Sequence, residues 1–205
     1  GAMDADWVDR LERRFGFLSA PGLPGFLTGM TAVCGLLGSV KPEFTSVLDL
    51  DPSALVRGQV WRAVTFLFVP PPVTALGLLL WVLLLYALLQ ALETSWGEFK
   101  LTVFLALGSI ASVLGSLAVW TPFEGPFVIT LSAFLAFARL MPDRELLVMF
   151  VLPVKLRWLA ALTALWVGLK FATTDMPGRV QLLAGLLPYL VYFGPGHWRE
   201  LRSAL

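Results

Sequence analysis

Six apolar runs, separated by short polar or proline-bearing turns, constrain this chain more than any other feature. They lie at about residues 23–40, 73–92, 101–120, 127–140, 156–172 and 180–193. A bilayer core is crossed by roughly 20 apolar residues in an α-helix, because a helix satisfies its own backbone polar groups where lipid offers no partner. Apolar residues make up 58% of the chain and mean hydropathy is +0.80, whereas soluble domains carry roughly 45–50% apolar residues. The expectation is an all-α membrane protein of six transmembrane helices. The fourth and sixth runs are undersized, which points to helices that begin below the surface or to a locally thinned bilayer. Because several runs follow the first, it is not expected to be a removable signal peptide. Gly1-Ala2-Met3 reads as a tag remnant and is set aside.

Charge excludes some classes. Fifteen basic and fourteen acidic residues leave a net +1, with none of the clustering that nucleic acid requires. Cys34 is the single cysteine and His197 the single histidine, so an internal disulfide and a zinc site of the usual His/Cys type are excluded. No metal and no cofactor are expected, and Cys34 reads as a small buried hydrophobe. With six spans and the N-terminus inside, ten basic residues (Arg10, Arg13, Arg14, Lys100, Arg139, Arg144, Lys155, Arg157, Arg199, Arg202) fall on the cytoplasmic side. Five (Lys41, Arg57, Arg62, Lys170, Arg179) fall opposite. This asymmetry places both termini in the cytoplasm, and the protein is expected to be a multi-pass resident of a bacterial cell membrane.

The chain divides into an N-terminal amphipathic segment (1–22), a six-span membrane domain (23–195) and a C-terminal tail (196–205). Trp7, Val8, Leu11, Phe15 and Phe17 are spaced to lie along an interfacial helix. The connection 41–72 is long for a loop, yet its middle is too apolar to float free, so it is expected to sit half-submerged in the outer leaflet. Arg57, Gln59 and Arg62 would donate to loop carbonyls, Trp61 suits the headgroup boundary, and Pro70-Pro71-Pro72 ends the segment. Gly108, Ser112 and Ser116 recur every four residues, with Ala111 and Gly115 beside them; Ala133, Ala136 and Ala138 offer similar closeness. These are close-packing stripes. Gln90, Glu93 and Glu98 read as capping or inter-helix hydrogen-bond groups. Glu124 is placed to meet Arg57, Arg62 or Arg179.

Three segments in order resemble the rhomboid superfamily of six-span intramembrane proteins. Gly58-Gln59-Val60-Trp61-Arg62 and Thr65-Phe66-Leu67-Phe68 are similar to the Trp-Arg motif in the first external loop (L1) of rhomboids and of the non-proteolytic derlins. Leu92-Glu93 and Trp96-Gly97-Glu98-Phe99-Lys100 are similar to the pattern between spans two and three. Pro142-Asp143-Arg144 and Leu152-Pro153-Val154-Lys155-Leu156-Arg157-Trp158-Leu159 resemble the turn after the serine-bearing helix. The resemblance implies a six-span rhomboid-like bundle with a submerged L1 loop, in which Gly58, Trp61, Arg62, Glu93, Trp96, Gly97 and Gly125 are structural.

The resemblance also assigns the reactive positions, and they are changed. The family's Gly-x-Ser-Gly motif falls on Gly125-Pro126-Phe127-Val128, with phenylalanine where the nucleophile belongs. The histidine of span six falls on Gln181, and the oxyanion-stabilising His and Asn of span two fall on Gly77 and Trp81. A serine nucleophile needs a base within hydrogen-bond reach. Ser132 lies five residues beyond Phe127, about 7.5 Å deeper, while His197 lies about 24 Å of helix beyond Gln181. A Ser–Lys arrangement with Lys170 is imaginable, although lysines at span ends snorkel to the interface. The implied function is a catalytically inactive, derlin-like pseudoprotease that binds transmembrane segments of client proteins and perturbs the local bilayer. The alternatives are an intramembrane serine protease with a displaced nucleophile and a non-enzymatic membrane scaffold subunit.

Overall fold

The structure is a computed structural model that describes all residues except 1–5, 124, 125, 144, 149–151 and 205. At 6, 18, 145–148, 152–154, 195–201, 203 and 204 it describes the backbone alone. Helix α1 (Asp6–Phe15) leads through a turn of 3-10 helix to α2 (Leu23–Val40). The following connection folds into α3 (Pro42–Leu48), α4 (Pro52–Val56), α5 (Arg62–Thr65) and a 3-10 turn at Phe66–Phe68. Then come α6 (Ala75–Trp96), α7 (Glu98–Val119), α8 (Phe127–Leu140), α9 (Leu156–Thr173) and α10 (Met176–Ala204). Among the described residues, α2, α6 and α7 are long and apolar enough to cross a membrane, and α8 is a shorter apolar helix. The all-α expectation holds for these helices. One short antiparallel hairpin, β1 (Glu145–Val148) with β2 (Leu152–Lys155), joins α8 to α9.

Helix boundaries follow local chemistry. Thr74 caps α6 by accepting a hydrogen bond from the Gly77 N–H at 3.2 Å, as a threonine before a helix does. Gly97 ends α6 and opens α7 with φ 89° and ψ 162°, a region open essentially to glycine alone. Two helices are thus joined through one residue. Asp51 caps α4, and hydrogen bonding from Ser53 holds its carboxyl below the usual carboxylate range.

The core gathers where α7, α8 and α10 meet. The small-residue stripe of α7 allows it: a Cβ added at Gly108 would lie 3.1 Å from Ile129 of α8 and 3.2 Å from Pro188 of α10, and one at Gly115 would lie 3.0 Å from Ala184. Ala133, Ala136 and Ala138 are buried, as is Cys34 in α2. At the far end of this core, Trp96 packs against Phe104, Tyr192 and Phe193.

Two elements differ from expectation. The sixth helix is not undersized: α10 runs for 29 residues, about 44 Å at 1.5 Å per residue. Hydropathy counts only its apolar middle, while the helix continues through polar turns at both ends. Helix α1 is amphipathic as expected, but the start of its apolar face meets the bundle, while Phe15 and Phe17 further along stay exposed. Val8 is fully buried, Trp7 meets Tyr192 edge-on at 6.0 Å, and Asp9 pairs with Lys100 of α7. That hydrogen-bonded ion pair lowers the Asp9 pKa.

Arg62 organises the connection between α2 and α6. It is buried, and its guanidinium donates to Ser46 O at 2.8 Å, Asp49 O at 2.8 Å and Gln59 Oε1 at 2.7 Å. Ser109 of α7 donates to Ala63 O at 2.7 Å, and Phe123 N donates to Leu50 O at 2.8 Å. The loop is thereby fixed to α7 and to the segment before α8. Gly58, at φ 97°, supplies the left-handed turn ahead of Arg62, and Trp61 stays half-exposed.

Candidate functional site

The site forms where the ends of several helices converge. Helix α8 starts at Phe127, immediately after Pro126. Gln181 sits in the second turn of α10, and one turn further along Gly185 brings the two helices together. A Cβ there would come within 2.5 Å of Val128, so only glycine lets α10 approach the first turn of α8. Phe127 and Gln181 consequently border one cavity of about 880 Å³. Its walls come from α2, from the strap Pro70–Pro72, from Trp166 and Lys170 of α9, and from the start of α10.

Phe127 is an aromatic bridge. Its ring stacks on Trp81 of α6, with centroids 6.3 Å apart and planes at 21°, and meets Trp166 of α9 edge-on at 6.0 Å. Trp81 Nε1 is buried and has no hydrogen-bond partner among the described residues. Gly77 stays in the first turn of α6, one turn nearer the helix start than Trp81. Gln181 donates through Nε2 to Pro122 O at 2.7 Å, tying α10 to the segment before α8. Phe127 and Gln181 therefore border the cavity together, Trp81 joins them only through the Phe127 ring, and Gly77 and Glu93 are not on the cavity. Glu93 accepts from Gln90 Nε2 at 3.3 Å at the opposite end of α6. Gly125 and Glu124 lie outside the described residues. Two of the three arginines expected near Glu124 have other partners: Arg62 holds the loop, and Arg179 donates to Phe171 O at 2.9 Å and Ala172 O at 3.3 Å.

Reactive pairing is missing among the described groups at this site. Ser39 donates to Leu36 O and Thr45 to Pro42 O, each within its own helix. Ser132 is fully buried between α8 and α10 and accepts from the Tyr189 N–H at 3.1 Å. His197 lies on α10 sixteen residues past Gln181, about 24 Å along the axis. Among the described residues, no group of three or more His, Cys, Asp or Glu could hold a metal ion. Trp166 and the proline strap are site elements that motif counting did not reach. The only signal for them was spacing, since Trp166 and Lys170 stand four residues apart on one helical face. In the structure the Lys170 ammonium lies 5.8 Å from the Trp166 ring centroid.

An α-helical chain with three helices fit to span a bilayer among its described residues, a small-residue packing stripe and broad apolar faces is an integral membrane protein. The chain belongs to the family described as Eukaryotic integral membrane protein (DUF1751), whose profile matches residues 25–194. No curated protein matches it in sequence. The family corrects one expectation: membrane residence stands, and the bacterial cell membrane does not. Hydropathy and basic-residue asymmetry carry no mark of kingdom, because every bilayer core asks the same of a span.

Proposed function

We propose that the chain is a six-span, rhomboid-like bundle with an L1-type loop at 41–72, and that it acts as a pseudoprotease. It binds transmembrane segments of client proteins laterally, perturbs the bilayer beside it and does not cut. The observation that carries this reading is the meeting of Phe127 and Gln181 at one cavity. An aromatic ring and an amide stand where nucleophile and base belong, and neither can take or give the proton that acyl transfer needs.

The packing supports lateral access. Helices α6 and α9 both pack on α8, with little contact between them. The gap is crossed by the Trp81–Phe127–Trp166 stack. In α9 only Leu156 is buried, and α6 presents Leu76, Leu79, Leu80, Leu83 and Leu84 outward. Leucine and lipid are equally apolar, so such a wall is not locked by a hydrophobic term. Helix α8, at 14 residues, is about 21 Å long against a core of about 30 Å. That mismatch supports local thinning.

The test is proximity crosslinking from Leu80 or Leu84 to a panel of unrelated single-span peptides in liposomes, run beside a fluorophosphonate probe. Crosslinks to several peptides without cleavage are the expected result. Crosslinking to one partner alone favours a scaffold subunit, and labelling of Ser132 with peptide cleavage favours a displaced-nucleophile protease.

A further inference from the structure

The cavity beside Phe127 is the wrong size and the wrong chemistry for a client helix. A helix about 10 Å across would fill 880 Å³ within about 11 Å, or about seven residues. An extended peptide fits no better. It would bring one N–H and one C=O per residue, which must be paired away from water. The walls here are mostly helices whose backbone bonds are internal, plus Pro70, Pro71 and Pro72, which have no N–H to give. An acyl chain carries no such groups and needs no such partners.

The lining has the polarity of an amphiphile. Three of its polar side chains stand at helix ends: Ser39 at the end of α2, Lys170 in the last turn of α9, Thr174 just past it; Thr45 lies on the loop side, and Gln181, deeper beside Leu182, spends its amide N–H on Pro122 O. Gly35, Leu78 and Leu182 lie about a turn deeper, with Trp166 and Phe127 beside them. Among the described lining residues Lys170 is the one cation, held over the Trp166 face. The one carboxylate is Asp49, on the loop side and itself engaged.

We infer that this cavity binds one acyl chain of an anionic membrane lipid whose headgroup pairs with Lys170. The inference goes beyond the client-binding reading and is tested with no client present. The site would hold a lipid beside the gap between α6 and α9, in the leaflet at the level where Lys170 ends α9.

The full chain, purified in detergent, is given either palmitoyl-oleoyl-phosphatidylserine or the matching phosphatidylcholine and examined by native mass spectrometry. One phosphatidylserine per chain is expected to remain bound, preferred over phosphatidylcholine by about fivefold, the weight of a single interfacial lysine. Lys170→Gln should erase the preference without changing the thermal unfolding midpoint. Ala75→Phe, which narrows the mouth, should lower retention of both lipids. Glycerophosphoserine, which has the headgroup without chains, should not compete. Equal retention of both lipids by wild type and both variants would mean annular lipid only and overturn the inference. Competition by glycerophosphoserine would make the site one for a free phosphate and overturn it too. So would a single-span peptide whose binding, unlike lipid preference, depends on Lys170. None of these results bears on crosslinking from α6, so the two readings fail separately.

Discussion

Replacing Arg62 with methionine should loosen the cavity wall without disturbing the helical bundle. The guanidinium satisfies Ser46 O, Asp49 O and Gln59 Oε1 at 2.7–2.8 Å from a buried position. Leaving a buried acceptor unmade costs about 1–3 kcal/mol. Three acceptors would sum to about 3–9 kcal/mol, but methionine keeps the packing of the stem and the loop can open to solvent. We expect about 3–5 kcal/mol, a large share of a typical stability of about 5–15 kcal/mol. The loss should appear first as local opening of residues 42–65, because Thr45 and Asp49 on the cavity wall belong to this loop. Hydrogen exchange followed by mass spectrometry reads it directly: 3 kcal/mol corresponds to exchange accelerated by about 150-fold. Arg62→Lys should fall between, since an ammonium is a point donor without the planar fork. Unchanged exchange across 42–65 in Arg62→Met, at an unchanged unfolding midpoint, would refute the assignment of Arg62 as the tie.

Other outcomes follow from the same geometry. Gly97→Ala forces a Cβ into a region that side chains avoid, so the unfolding midpoint in detergent should drop by the equivalent of about 1–3 kcal/mol, while Gly16→Ala, which meets nothing within 4 Å, should not. Gly115→Leu would push on Ala184, 3.0 Å from an added Cβ, and overpacking of about 1–3 kcal/mol should show as a lower midpoint. Asp9 has a lowered pKa when paired with Lys100, so its contribution to docking of α1 is fully present above the unfolded value of about 3.9 and disappears as pH falls through the folded value. Exchange in α1 should rise on acidification below about pH 4, and Asp9→Asn should flatten that dependence. Phe127→Ser should remain unlabelled by a fluorophosphonate probe, because Gln181 cannot accept the serine proton; labelling would sink the pseudoprotease reading.

Much of the helical plan was legible because lipid imposes a simple length and polarity rule. The run at 127–140 matches α8 to the residue, and the run at 23–40 matches α2. Gly58 and Gly97, marked as structural only through the resemblance, both have positive φ, the conformation that favours glycine. The meeting of Phe127 and Gln181 was reachable only through the resemblance, since no local pattern links residues so far apart in sequence. Tertiary choices were hidden. Whether the apolar face of α1 meets lipid or the bundle cannot be told from its periodicity, which is identical in both cases. The full length of α10 escaped because polar residues at a helix end obey no hydropathy rule. The proline strap escaped as a cavity wall because consecutive prolines announce a break in regular structure and carry no signal of what their rings will face.

The single-residue joint at Gly97 has a consequence for seating in the bilayer. With α6 and α7 each 22 residues long, about 33 Å apiece, and a single residue between them, the depth at which one helix ends fixes the depth at which the other begins. A mutation that lengthens that bend would therefore change how the two helices are seated against each other along the bilayer normal.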